Sequence, residues 1–333
     1  MEANGPFYDP ETIKLYRKIS YPEDKELDQI VSGVYENVAG ELANSSLINI
    51  LEIGPGLGLF TIKFLTKIYE NGKIPKYLGI EVDENMIKAF NQAKESIRYK
   101  AVKQNVRICN LDFWSIGTDP KCKECHSRCS TEKHYDIIIL FFFIHLSARD
   151  FKDFGKNNII RAFEGIDFLL TLLKDNGILL ISETYGDHAF WSCDFTKSYQ
   201  LDELLDAKNC LGRLQFFKLL RDCHQYLGRR GYTNLRSLSA SDIGVVLEYL
   251  GTKGVTCPDN PVLMRYKKSF TAEDIKMAIG LGAAKRVFTT FPPELSEDAS
   301  KNITELIERY ANTQGNTFIS RDMFRVYACK KIR

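Results

Sequence analysis

The 333-residue sequence predicts an α/β chain built on a doubly wound, mostly parallel sheet. Three observations carry this. Strands and helices alternate from Leu47 to Ser182. The strand-length runs there are apolar throughout, as in sheets covered by helices on both faces. And the first run feeds a glycine-rich turn that opens a helix, in Ile50-Leu-Glu-Ile-Gly-Pro-Gly-Leu-Gly-Leu-Phe60.

The elements follow in order. Leu47–Ile53 is the first strand; Gly54, Gly56 and Gly58 turn the chain, and Leu59–Tyr69 restores a helical period. Tyr77–Glu81 is a second buried strand. Glu84–Tyr99 reads as a helix with Met86, Ile87, Phe90 and Ala93 on one face. Val102–Ile108 leads into Asn110-Leu-Asp-Phe113, and Tyr135–Phe142 is an almost wholly apolar strand. A helix over Ile159–Leu173 ends at the capping pair Asn176-Gly177, and Ile178–Ser182 is the fifth strand. Leu201–Tyr226 carries a leucine-rich helical stripe expected to pack on the core and line a pocket. Asp242 stands in the capped start of a helix running to Leu250, with Gly251 at its end, and Met323–Cys329 is a strong terminal strand. Between them, Cys257–Pro293 reads as a long insertion with a helix near Ala272–Leu281. The expected organisation is an N-terminal helical cap over 1–46, a ligand-binding core over 47–186, a helical lid region over 187–236, and completion of the sheet over 237–333 with its insertion near 257–293.

Composition narrows the function classes. Hydrophobic content of 44% and charged content of 26% are those of a soluble globular chain. Lys+Arg of 45 against Asp+Glu of 43 leaves +2, so no global field calls for a polyanion. The longest apolar stretch, Ile137–Ile144, is strand-sized, which argues against a membrane span. Nine cysteines without an export signal are read as belonging to a reducing cytoplasm.

The spacing of the glycines discriminates between ligands. A dinucleotide fingerprint, G-x-G-x-x-G, would need glycine at 59, where this chain has Leu59. The pattern Glu52-x-Gly54-x-Gly56-x-Gly58 instead resembles motif I of the class I S-adenosylmethionine-dependent methyltransferases. The resemblance covers roughly Leu47 to Ser182 plus the C-terminal strand and has three further stations: Glu81 at the end of the second strand, Asp112-Phe113 after the third, and Tyr135-Asp-Ile-Ile-Ile-Leu-Phe-Phe-Phe-Ile-His145-Leu at the fourth. It implies a Rossmann-like, seven-stranded, mostly parallel sheet with an antiparallel strand inserted at its edge and helical lid insertions. It implies S-adenosylmethionine as cofactor, held by Glu52, Gly54, Pro55, Gly56, Gly58 and Phe60 at the turn, by Glu81 and Val82 at the ribose, and by Asp112, Phe113 and Phe141 around the adenine and cleft. Each station also has a plainer reading, as a tight turn, a helix cap or core. The chemistry implied is in-line displacement at the methyl carbon of a sulfonium, in which alignment supplies most of the acceleration and a dedicated base is optional.

The acceptor is expected to be a small molecule or peptide, methylated on nitrogen or oxygen. Candidate pocket residues are Tyr8, Tyr16 and Tyr21 in an aromatic, basic N-terminal segment, with Phe142 and Trp191; candidate catalytic residues are His145, Tyr185 and His188. The order of the C-terminal elements is similar to histamine N-methyltransferase-like small-molecule enzymes. A carboxylate O-methyltransferase acting on a peptide C-terminus is an alternative, with Arg213, Arg221, Arg229 or Arg230 holding the acid; a non-catalytic, cofactor-binding subunit is another. Nucleic acid is disfavoured by the balanced charge and by the absence of an Asn/Asp-Pro-Pro-aromatic tetrad at the fourth strand. Outside the resemblance stands Cys122-x2-Cys125-x3-Cys129, followed by His134, which offers soft and borderline ligands for a structural zinc or else is a loop of free cysteines.

Overall fold

A computed structural model of the chain describes residues 13–14, 17–18, 21–112, 116, 134–141, 158–182, 241–271 and 317–332. Helices α1 (Asp24–Leu42), α2 (Leu59–Glu70), α3 (Glu84–Glu95), α4 (Lys100–Gln104), α5 (Asn158–Leu172) and α6 (Ser241–Thr252) accompany strands β1 (Leu47–Ile53), β2 (Ile74–Glu81), β3 (Val106–Asn110), β4 (Tyr135–Phe141), β5 (Leu173–Ser182), β6 (Val255–Thr256), β7 (Val262–Thr271) and β8 (Thr317–Lys331). The sheet runs β3-β2-β1-β4-β5-β8-β6, with β7 paired to β8 off this path. The seven-stranded path expected from the sequence is thus present, and β7 adds an eighth strand.

β1 to β5 pair in parallel, and the order reverses between β1 and β4. That reversal is the topological switch point, where ligands bind beyond the carboxyl ends of the strands. Alternation of side chains along each strand feeds two cores, which is why the runs are apolar throughout. On one face Ile137, Ile139 and Phe141 join Ile50, Leu180 and the buried sides of α1, α2 and Phe90 of α3. On the other, Ile138 and Leu140 join Leu51, Leu179 and residues of α5 and α6.

Several elements differ from the sequence expectation for identifiable reasons. The helix expected over Glu84–Tyr99 stops at Glu95: the hydroxyl of Ser96 donates to the carbonyl of Ala93, and the chain restarts as the short α4. The pair Asn176-Gly177 does make the left-handed turn, with Asn176 at φ 62°, but within a loop of β5: Leu173 pairs with Tyr135, and pairing resumes only at Ile178 with Ile137. The left-handed glycine that closes α6 is Gly254 at φ 71°, and Gly251 lies inside the helix. Within the stretch read as an insertion, β7 pairs continuously and antiparallel with β8, from Val262↔Val326 to Thr271↔Thr317. The helix expected near 272–281 and the region 187–236 lie outside the described residues.

Cys257 and Cys329 form a disulfide that joins the residue after β6 to β8, across a separation of 72 residues. Cys109 is disulfide-bonded as well. Among the described residues no helix is long and apolar enough to cross a membrane.

Candidate cofactor site at the carboxyl end of the sheet

The glycine turn sits at the end of central strand β1. Gly54, Gly56 and Gly58 all have positive φ, at 66°, 54° and 67°. These are left-handed conformations that a Cβ disfavours. Gly58 is also sterically fixed, because a Cβ there would lie 2.3 Å from Cδ2 of Phe90. Gly54 differs: a Cβ there would meet nothing within 4 Å, so its backbone borders open space. The turn is tied down by backbone bonds from Gly54 N–H to Ile80 O (2.8 Å) and from Gly58 N–H to Pro55 O (2.9 Å).

Beneath the turn, Glu52 is 3% exposed, and its Oε2 accepts hydrogen bonds from Thr61 Oγ1 (2.5 Å) and Tyr77 Oη (2.7 Å). Burial raises its pKa from 4.5 to about 7; the two hydroxyl donors oppose the shift, and the nearby Glu81 charge adds slightly to it. Burial likewise pushes the Tyr77 phenol well above its ordinary value, with the Glu52 charge adding to the shift. The Tyr77 ring stacks on Phe90 at 5.8 Å, and Phe90 is the ring against which Gly58 abuts. Glu52, Tyr77, Phe90 and Gly58 therefore form one continuous support under the turn. Gly79, opposite Glu52 in the β1–β2 register, leaves room for it: a Cβ there would lie 2.7 Å from Tyr77 Oη and 3.0 Å from Pro55 Cγ.

Glu81 ends β2 beside the turn and is 9% exposed. Its Oε2 accepts from Gly56 N–H (3.1 Å), and its Oε1 accepts from the N–H groups of Val82 (2.9 Å) and Asp83 (3.1 Å). Burial raises its pKa, and these three N–H groups hold the shift down. The carboxylate is thus fixed in orientation, with acceptor capacity left on Oε2. Next to it, Val82 is 51% exposed. Asp83 caps α3 by accepting from the N–H groups of Asn85 and Met86, both at 2.9 Å, which sets the exit of the chain from the site.

Of the other expected cofactor residues, Phe60, Asp112 and Phe141 fall on the same edge. Phe60 is buried in α2 and meets Phe141, the last residue of β4, edge-on at 4.6 Å. Leu111 N–H donates to Glu81 O (3.1 Å), which brings the end of β3, and the exposed Asp112 after it, alongside Glu81. Tyr21 is half-buried ahead of α1, its N–H donating to Arg17 O at 3.2 Å. His134 lies just before β4, its N–H donating to Leu172 O (2.9 Å) and its ring edge-on to Tyr135 at 5.0 Å. Among the described residues no group of three or more His, Cys, Asp or Glu is placed to hold a metal. Tyr8, Tyr16, Phe113, Cys122, Cys125, Cys129, Phe142, His145, Tyr185, His188 and Trp191 lie outside the described residues. Sequence reasoning missed Thr61, Tyr77 and Asp83. The signal for Tyr77 was present as Gly79, a lone glycine in an apolar strand that marks a close approach.

No family model matches the chain, and no curated protein does. Solved structures that share features with it include a methyltransferase from Geobacter sulfurreducens in complex with S-adenosyl-L-homocysteine. That protein is 12% identical over 98% of this chain and 100% of its own, with a TM-score of 0.45. The plantazolicin methyltransferase BpumL is 14% identical over 98% and 92%, with a TM-score of 0.45. A methyltransferase from Aquifex aeolicus is 15% identical over 97% and 98%, with a TM-score of 0.41. At these values the likenesses carry no weight for chemistry, which rests on the strand order and the residues above.

Proposed function

We propose that the chain is an S-adenosylmethionine-dependent methyltransferase acting on nitrogen or oxygen of a small-molecule or peptide acceptor. The observation that carries this reading is the pairing of Glu81 with the glycine turn. A buried carboxylate at the end of β2 is held by Gly56 N–H on the very turn that leaves open space at Gly54. The residues fit the proposed cofactor. Gly54 gives backbone access for an amino-acid tail, Glu81 Oε2 offers an acceptor for ribose hydroxyls, and exposed Val82 gives an apolar flank for the nucleoside. No glycine stands at 59 to favour a pyrophosphate.

When bound, S-adenosylmethionine supplies a methyl group activated on a sulfonium. The protein's part is orientation: Glu52, Thr61 and Tyr77 lock the turn from below, Glu81 fixes the nucleoside, and Phe60 and Phe141 form an apolar wall at the end of β4. An apolar wall excludes water and suits a step in which charge on sulfur is lost. Tyr185 and His188, just after β5, are proposed to serve the acceptor, as is His145 after β4. The histamine N-methyltransferase-like branch is a proposal about acceptor class only.

Calorimetric titration of the full chain with S-adenosylmethionine, S-adenosylhomocysteine and NAD tests the reading. Binding of the first two and not of NAD is expected, with transfer of labelled methyl to at least one amine or acid of an acceptor panel. Binding of NAD alone would overturn it. Tight cofactor binding with no transfer to any acceptor would favour the non-catalytic subunit.

A further inference from the structure

Ser182 ends β5 in the last row at which that strand is paired on both sides: Phe141 of β4 lies opposite it in parallel, and Val326 of β8 antiparallel. Side chains alternate along a strand, so Ser182 shares the face of Leu180, and Phe141 and Val326 stand on that same face. The row therefore reads Phe141, Ser182, Val326, with an apolar residue on either side of one hydroxyl. Phe141 is the ring that meets Phe60 edge-on at 4.6 Å. The register Glu52↔Ile139, carried two residues on, puts Gly54 on the far side of Phe141. Ser182 thus stands two strand spacings, roughly 10 Å, from Gly54, with the apolar wall between them.

Ser182 is 0% exposed, and among the described residues its Oγ has no hydrogen-bond partner. A hydroxyl withdrawn from water without a partner is unfavourable, and an alanine in its place would carry no such cost. Ile178 and Leu180 fill the same face of β5 with carbon, so the strand departs from that pattern only at the residue where it reaches the site. The turn and the aromatic wall that orient the proposed cofactor do not use this hydroxyl. Its surroundings limit what can pair with it. One neutral hydroxyl between apolar side chains does not compensate a buried charge, whereas it satisfies an N–H or O–H group by accepting its hydrogen bond.

We propose that Ser182 is a specificity-determining residue of the acceptor site, whose Oγ accepts a hydrogen bond from the reacting group and selects a neutral amine or hydroxyl over a carboxylate. The word acceptor rests on the methyltransferase reading, but the hydrogen bond is measurable without it. In the transfer, the lone pair of the nucleophile forms the bond to the methyl carbon, the carbon–sulfur pair stays on sulfur, and the acceptor's proton passes to water. Ser182 keeps its own proton and aligns the nucleophile. Because the hydroxyl is fully buried, a group that reaches it displaces protein atoms rather than water, and the pairing is made at low local dielectric, where a hydrogen bond is strongest.

The test uses the full chain saturated with S-adenosylhomocysteine and titrated separately with aniline, phenol and benzoate, at a pH where aniline is neutral. The three share a ring and differ in the head, which is an amine, a hydroxyl or a carboxylate. Aniline or phenol is expected to bind wild type at least about tenfold more tightly than benzoate does. Ser182→Ala is expected to weaken that binding about threefold to tenfold, and Ser182→Thr, which keeps the hydroxyl, to stay within about twofold of wild type. S-adenosylhomocysteine affinity is expected to be the same in all three proteins, and the Tm of the Ala variant no lower than that of wild type, which separates the hydrogen bond from a loss of packing. The role of Ser182 is overturned if neither aniline nor phenol binds wild type, if benzoate binds as tightly as they do, or if the Ala variant binds them as wild type does. Failure of wild type to bind S-adenosylhomocysteine, with aniline or phenol binding still weakened by Ser182→Ala, overturns the methyltransferase reading instead.

Discussion

Replacing Glu52 by Gln keeps the volume and a carbonyl oxygen that accepts from Thr61 and Tyr77, and removes the titrating group. The folded-state pKa of Glu52 is raised from 4.5 to about 7. The folded protein therefore binds the proton more tightly than the unfolded chain does. The contribution is fully present below pH 4.5 and is lost as pH rises through about 7. At 1.36 kcal/mol per unit, wild type should lose about 3 kcal/mol across that window that the Gln variant does not lose. Urea unfolding of both proteins, at intervals from about pH 4.5 to about pH 8, measures the difference directly. The variant should be the more stable protein at the alkaline end, by about 3 kcal/mol relative to their difference at the acid end. Parallel stability curves across the range would refute the buried, protonated carboxyl and with it the support beneath the glycine turn.

Other expectations follow from the same geometry. Gly58→Ala forces a Cβ into Phe90 at a left-handed position and should cost about 2–5 kcal/mol, seen as a lower Tm; an unchanged Tm would contradict the packing. Glu81→Ala should weaken S-adenosylhomocysteine binding at least tenfold in calorimetry, and unchanged affinity would remove Glu81 from the ribose. Reducing the Cys257–Cys329 disulfide, or replacing Cys257 by Ser, should lower unfolding free energy by about 4 kcal/mol given the length of the loop it closes; equal urea midpoints with and without reductant would contradict that.

What the sequence revealed and what it concealed have physical causes. Leu47–Ile53, Tyr135–Phe141 and the parallel order were legible because strands buried on both faces leave continuous apolar runs, and the turn was legible because only glycine tolerates its three positive φ angles. The partners of Glu52 were not legible. Thr61 and Tyr77 reach it from a helix and a neighbouring strand; nothing in the helix distinguishes Thr61, and Gly79 marks a close approach beside Tyr77 without naming its partner. β7 was hidden for a different reason: in Val262-Leu-Met-Arg-Tyr-Lys-Lys-Ser-Phe-Thr271 the cations at 265, 267 and 268 interrupt the continuous apolar run by which the central strands are recognised. The pairing of Cys257 with Cys329 joins positions 72 residues apart and is carried by no local spacing.

In the proposed complex the cofactor's nucleoside is held by Glu81 against the turn Gly54–Gly58. A crystal structure of the full chain with S-adenosylhomocysteine measures this most directly. A ribose hydroxyl is expected within hydrogen-bond distance of Glu81 Oε2, with ligand atoms against the backbone of Gly54. A ligand bound elsewhere, with the Glu81 carboxylate still accepting only from Gly56, Val82 and Asp83, would contradict it.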